Sequence, residues 1–262
     1  MLTGKNILIV GGTTGLGLSA ALAFVKQEAK VLVTGRNHES CTRAQEQLGE
    51  HGFAMNSDAT VEGSAEEAIE MCLKKWGVLH GLYHVAGGSG RKLGDGALHE
   101  MTLEGWHETL ELNLTSSMLS NRAVIKTFLK QKQGGAILNM GSVLGFAPSP
   151  IYFGTIAYAT AKSAIIGLSK SLASCYAKDN IRVNVIAPAL VETPMAQRAA
   201  QDVNIQKFIN TKQPLDGGRI GHPKDLDGAA SLLLSDQGKF ITGQVLTVDG
   251  GWSTSEGQYS AS

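Results

Sequence analysis

The sequence predicts an α/β fold, a doubly wound, seven-stranded parallel sheet flanked by helices. Three observations carry this expectation. Short apolar, β-branched runs recur along the chain. Segments with helical spacing separate them. The first run leads directly into a glycine-rich turn, GGTTGLG. Runs that are apolar on both faces suit strands covered on both sides, and strand–helix alternation gives a parallel sheet.

The elements follow in order. NILIV (6–10) is the first strand and 15–28 the first helix. KVLVT (30–34) precedes a helix over 38–50, and FAMN (53–56), a weaker strand, precedes a helix over 62–76. LYHV (82–85) is followed by one long helix over 104–131. AILNM (136–140) leads to a helix over 155–178, then RVNVI (182–186), a helix over 224–235 and the last strand, VLTV (245–248). No stretch reads as a linker, so 1–262 is expected to form a single domain that both binds its ligand and carries the chemistry. The end, STSEGQYSAS (253–262), is expected to be a mobile tail.

Composition narrows the function classes. The 262 residues suit one large α/β domain, and the formal net charge is zero. No basic face is implied, so nucleic acid and anionic membrane are not expected partners. Cys41, Cys72 and Cys175 form no CxxC pair, and the seven histidines are scattered. No metal site is expected, and the thiols fit a reduced, cytoplasmic protein. The opening MLTGKNILIVGG has too short an apolar run for a signal peptide, and no run reaches membrane-spanning length.

In GGTTGLG (11–17), Gly11, Gly15 and Gly17 let the backbone turn tightly and approach a ligand. With Thr13, Thr14 and Leu16 they open a helix whose N-terminal N–H groups and dipole suit a phosphate. Strand, glycines and helix stand in the order a dinucleotide site requires, though the spacing is GxxxGxG rather than GxGxxG. After the second strand comes TGRN, with Arg36 and Asn37 where an acidic residue would grip the ribose of NAD. An arginine pairs with a 2′-phosphate, so NADP(H) is the expected cofactor and NAD(H) the alternative, in which Arg36 is a solvated surface charge.

AYATAK (157–162) places Tyr158 four residues before Lys162, one turn apart on a helix face. With 5 tyrosines and 16 lysines in the chain, such a pair is expected about 0.3 times by chance. Its weight comes from its company.

GGTTGLG and YATAK, together with SDAT (57–60), HVAG (84–87), LNLTSSM (112–118), LNMGSVLG (138–145), RVNVIAPALVETPM (182–195) and FITGQVLTVDGGW, resemble the short-chain dehydrogenase/reductase family over nearly the whole chain. The resemblance implies a single Rossmann domain. It implies that Tyr158 exchanges a proton with a substrate oxygen and that Lys162 lowers the tyrosine pKa and holds the nicotinamide ribose. It further implies that Ser142 hydrogen-bonds the same oxygen and that Asn113 keeps a water in the proton relay. For the cofactor it implies Asp58 on the adenine amino group with Ala59 beside it, Ala86 and Gly87 along the fourth strand's end, and Pro188, Val191 and Thr193 around the carboxamide. A cation beside a phenol favours the phenolate, and a second donor suits an oxygen that gains charge. The ending resembles relatives of 3-oxoacyl-carrier-protein reductases, which implies a homo-oligomer, tetramer or dimer.

The chain departs from the family pattern at Val10 (usually Thr), at HVAG (usually Asn-Asn-Ala-Gly) and at Pro188-Ala189 (usually Pro-Gly). His84 is read as a packed residue that replaces a structural hydrogen bond. The apolar stretch VLGFAPSPIYFGTIA, with Phe146, Ile151, Tyr152 and Phe153, is read either as a pocket wall favouring a substrate with an apolar portion or as core or subunit packing. Segment 195–218 fits a mobile lid. The expected activity is NADP(H)-dependent interconversion of a small-molecule carbonyl and alcohol. Its rivals are an NAD-dependent alcohol dehydrogenase and a non-catalytic nucleotide-binding regulator. The short chain disfavours an epimerase or dehydratase.

Overall fold

The computed structural model describes residues 1–257. Seven parallel strands form one sheet in the order β3-β2-β1-β4-β5-β6-β7. They are β1 (Asn6–Val10), β2 (Lys30–Gly35), β3 (Gly52–Asn56), β4 (Gly81–His84), β5 (Gly135–Met140), β6 (Ile181–Pro188) and β7 (Val245–Val248). All seven expected strands are present, each within two residues of its expected ends. The order reverses between β1 and β4. A crevice opens there at the carboxyl ends of the strands, where such sheets bind ligands.

Alternation along β1 shows why both faces are apolar. Ile7 and Ile9 pack with Phe24 of α1 (Gly15–Lys26), Leu48 of α2 (His38–Leu48) and Leu233 of α10 (Asp227–Leu234). Leu8 and Val10 pack on the other side with Ile69 of α3 (Ser64–Trp76) and Phe128 of α5 (Ser116–Gln131). The two edge strands depart from two-sided burial: β7 exposes Leu246 and Thr247, and in β3 only Gly52 is fully buried.

The long helix expected over 104–131 is divided. α4 (Leu103–Leu110) and α5 are joined by a π-helical turn, Glu111–Thr115, centred on Asn113. Asn113 Nδ2 donates to the Thr109 carbonyl at 2.9 Å, and Ser116 and Ser117 hydroxyls donate to the Leu112 and Asn113 carbonyls at 2.7 Å each. Polar side chains thus take over backbone partners that a regular helix would use, which permits the wider turn. The helix expected over 155–178 is α7 (Ile156–Tyr176), preceded by the short α6 (Pro150–Phe153).

Segment 195–218 contains α8 (Gln197–Gln201) and α9 (Val203–Lys212), the latter capped by Asp202. Phe208 of α9 packs against Tyr152, Phe153 and Trp252 with ring centroids 5.3–6.5 Å apart. The expected tail, 253–262, begins with residues held on α9: Ser255 Oγ donates to the Thr211 carbonyl at 2.8 Å, and Thr211 Oγ1 to the Gly257 carbonyl at 2.8 Å. Its remainder, 258–262, lies outside the described residues. Among the described residues no helix is long and apolar enough to cross a membrane.

Candidate functional site

The crevice is a cleft of about 680 Å³. Its floor starts at the β1–α1 turn. Gly11 has φ +84°, and a side chain there would collide with the Ala86 backbone. Gly17 does not line the cleft; a Cβ on it would run into the Gly11 carbonyl, so it lets α1 approach the strand end. Thr14 precedes α1 without a side-chain cap, which leaves the first-turn N–H groups to a ligand. Thr13, Thr14, Gly15 and Leu16 line this part of the cleft. The missing side chains and the uncapped helix end together fit a dinucleotide pyrophosphate.

At one end stand Arg36, Asn37, Asp58 and Ala59. Asn37 is committed to structure, since its Oδ1 accepts from Ser40 N at 2.8 Å and caps α2. Hydrogen bonds from the Thr60 backbone N–H and hydroxyl hold Asp58 below the usual carboxylate pKa, with some help from the Arg36 charge. Arg36 is exposed and makes no salt bridge among the described residues. A second guanidinium, Arg43, lines the same end while bridging Glu39 at 2.7 Å. Sequence reasoning passed over it because it lies one turn into α2, beyond the TGRN stretch.

At the other end Ser142, Tyr158 and Lys162 line one cleft, together with Ala86, Gly87, Pro188, Val191 and Thr193. Ser142 follows β5, and Tyr158 and Lys162 share a face of α7. Lys162 is buried and its Nζ donates to the Met140 carbonyl at 2.9 Å. Burial pushes its pKa down to about 8. Burial raises the pKa of the Tyr158 phenol, and only a hydrogen bond with Ser142 opposes it. Lys162 Nζ sits 5.5 Å from the Tyr158 ring centroid, its charge directed at the Met140 carbonyl.

Asn113 is buried at the π-turn. Its Nδ2 donates to the Gly88 carbonyl at 2.9 Å as well as to Thr109, and its Oδ1 accepts from Gly88 N at 3.1 Å. Its side chain and Lys162 Nζ both flank Gly87. His84 is a packed histidine, as expected: Ser120 Oγ lies 2.8 Å from its Nδ1 and Ser116 Oγ 3.4 Å from its Nε2. Of the stretch after Ser142, Val143, Leu144, Phe153 and Thr155 line the cleft, while Phe146 and Ile151 are 44% and 80% exposed. Asp95 is a residue the sequence did not reveal. Its carboxylate is buried and holds the start of α7. Arg91 and Arg198 also line this end, unannounced by any motif.

No group of three His, Cys, Asp or Glu side chains among the described residues is placed to hold a metal ion.

Comparison with known proteins bears on this arrangement. Residues 10–253 match the family model described as Enoyl-(Acyl carrier protein) reductase. The chain is 34% identical over 251 residues to a 3-oxoacyl-[acyl-carrier-protein] reductase of Chlamydia muridarum, covering 96% of this chain and 98% of that one. It superposes with a TM-score of 0.89 on a short-chain type dehydrogenase/reductase from Mycobacterium ulcerans, at 29% identity over 97% of this chain and 91% of that one. It superposes with a TM-score of 0.85 on a 3-ketoacyl-(acyl-carrier-protein) reductase from Brucella melitensis complexed with NADH, at 28% identity over 97% of this chain and all of that one. With the sheet order, the glycine turn and the Ser142–Tyr158–Lys162 wall, these matches place the chain in the short-chain dehydrogenase/reductase family of oxidoreductases.

Proposed function

We propose that the protein is an NADP(H)-dependent oxidoreductase that interconverts a carbonyl and an alcohol, with Tyr158 as the acid/base. The observation that carries this reading is the convergence of Ser142, Tyr158 and Lys162 on the cleft whose far end holds the glycine turn and Arg36. The nicotinamide, when bound, supplies or takes the hydride. The chain's own residues do the rest. Ser142 and Tyr158 present two hydroxyls to one substrate oxygen, where negative charge grows during reduction. The raised pKa keeps Tyr158 in its phenol form at neutral pH, so it is ready to give a proton. Asn113 fixes the loop after β4 through both polar atoms of its amide, and that loop borders Lys162.

Arg36 supports the phosphorylated cofactor. It is unpaired among the described residues and lies beside Asp58 at the end where the adenosine belongs. NAD(H) is the competing cofactor, as the Brucella relative was solved with NADH. Calorimetric titration with NADPH and NADH decides between them. A hydrogen-bonded charge pair contributes about 1.5–3 kcal/mol, so NADPH is expected to bind at least about tenfold more tightly. Arg36→Asp is expected to abolish that preference. Equal or tighter NADH binding overturns the cofactor assignment. Cofactor binding without turnover of any carbonyl in a broad panel leaves the regulator reading in its place.

A further inference from the structure

Two arginines meet at the substrate end of the cleft. Arg91 follows β4, in the single helical turn Gly90–Leu93, and Arg198 lies on α8. Both donate from Nη2 to the same acceptor, the Tyr152 carbonyl, at 2.9 and 3.1 Å. The two nitrogens therefore lie within about 6 Å of each other, a separation at which like charges repel. No carboxylate forms a salt bridge with either among the described residues. Asp95, the acidic group nearest in sequence to Arg91, gives both oxygens to backbone N–H groups of α7. Both side chains are exposed at the cleft mouth; partial burial and the charge of Arg198 press the Arg91 guanidinium below its usual pKa, and the Asp95 charge opposes them. Each guanidinium has five N–H donors, and one shared carbonyl occupies few of them. Both side chains line the cleft that holds Ser142 and Tyr158.

We infer that Arg91 and Arg198 form an anion clamp, and that the substrate is a carbonyl compound with an oxyanion, a carboxylate or a phosphate, remote from the reacting carbon. The inference rests on the carbonyl-reducing reading of the same cleft. Guanidinium forks match the oxygens of either anion, and an anion between them relieves the repulsion that the shared carbonyl only partly screens. The clamp is tied to the chemistry by a short path. Asp95 N donates to the Gly90 carbonyl at 3.0 Å, and the Asp95 carboxylate accepts from Tyr158 N at 2.9 Å.

The test compares matched substrates on the full chain with NADPH, and with NADH. One arm uses a graded series of straight-chain oxo acids, each against its methyl ester. The other uses dihydroxyacetone phosphate against dihydroxyacetone. The best anion is expected to exceed its neutral partner at least about tenfold in kcat/KM, through KM. The arm that shows the preference names the anion. In Arg91→Gln/Arg198→Gln the ratio is expected to fall to within about threefold, and Arg91→Lys/Arg198→Lys is expected to restore part of it. Equal kcat/KM within every pair, or a preference that survives the double glutamine variant, overturns the clamp. If nothing is reduced with either cofactor, the reductase reading fails by itself. Calorimetry with the same compounds then decides the clamp: binding of the anions that the double glutamine variant loses supports it, and no such binding overturns it.

Discussion

The Asp95 carboxylate grips the first turn of the helix that carries Tyr158. Oδ1 accepts from Ala157 N and Oδ2 from Tyr158 N, each at 2.9 Å, across more than sixty residues of sequence. Thr155, which precedes α7, provides no side-chain cap, so this buried carboxylate is the cap, placed where the helix dipole favours negative charge.

Replacing Asp95 with Ala leaves two buried N–H groups without partners. A loss of about 2–3 kcal/mol in unfolding free energy is expected. Turnover is expected to fall further than stability alone explains, because the backbone of Tyr158 is released, while NADPH affinity holds. Asp95→Asn keeps one acceptor oxygen and should lie between. Urea unfolding, turnover and cofactor calorimetry on both variants measure this. A D95A protein with wild-type turnover would remove Asp95 from the positioning of Tyr158.

Tyr158→Phe removes one hydroxyl and little volume. Loss of a general acid lowers the rate by roughly 10²–10⁴. Cofactor binding is expected to persist, since the ring still fills its place. Steady-state reduction of the best substrate, with NADPH titration alongside, checks both halves. Retention of more than a tenth of wild-type turnover would assign the proton to another group.

The sheet was legible because each strand is a short apolar run, and Ile7, Leu8, Ile9 and Val10 face alternate cores that both demand such residues. The proposed catalytic wall was legible because Ser142, Tyr158 and Lys162 fall within short motifs. The π-turn at 111–115 was not legible, since its helix continues on either side and apolar spacing survives it. Its trace in the sequence is the polar run Asn113, Ser116, Ser117, Ser120 and Asn121 on a face that is entirely buried. Asp95, Arg91 and Arg198 were hidden for another reason. Their partners, Tyr158 and Tyr152, are 46 to 63 residues away, and only the closed fold brings them together.

His84 gives the protein an acid-sensitive interior. Burial, assisted by the Lys162 charge, pushes its pKa down to about 3. Between pH 6.5 and 3 the unfolded chain takes up a proton that the folded chain refuses, so this residue's effect on stability worsens steadily as pH falls through that window. The full difference is on the order of 5 kcal/mol. His84→Asn keeps groups for Ser116 and Ser120 but does not titrate. Urea unfolding of both proteins at pH 7, 5 and 4 is expected to show the wild type losing more. Parallel losses would place the acid sensitivity elsewhere.

Lys162 works in the opposite pH range. Burial without a carboxylate partner lowers its pKa to about 8, against an ordinary value of 10.5. Below pH 8 both folded and unfolded chains carry the proton, and the folded chain bears the full burden of a buried ammonium. From pH 8 to 10.5 the folded chain has released a proton that the unfolded chain still holds, so the stability governed by this group rises with pH. Lys162→Met is expected to match or exceed the wild type in stability at pH 7 and to lack that rise. Activity should run the other way: if the reaction needs the ammonium, turnover falls as pH climbs through about 8, a limb that Tyr158, raised by burial, does not supply. Unfolding of both proteins from pH 7 to 10.5, set beside the wild-type pH–rate profile, tests the two together. Equal pH slopes for wild type and K162M would show that the lysine keeps its proton in the fold. A stability rise without a rate limb would show that its charge holds no place in the rate-determining step.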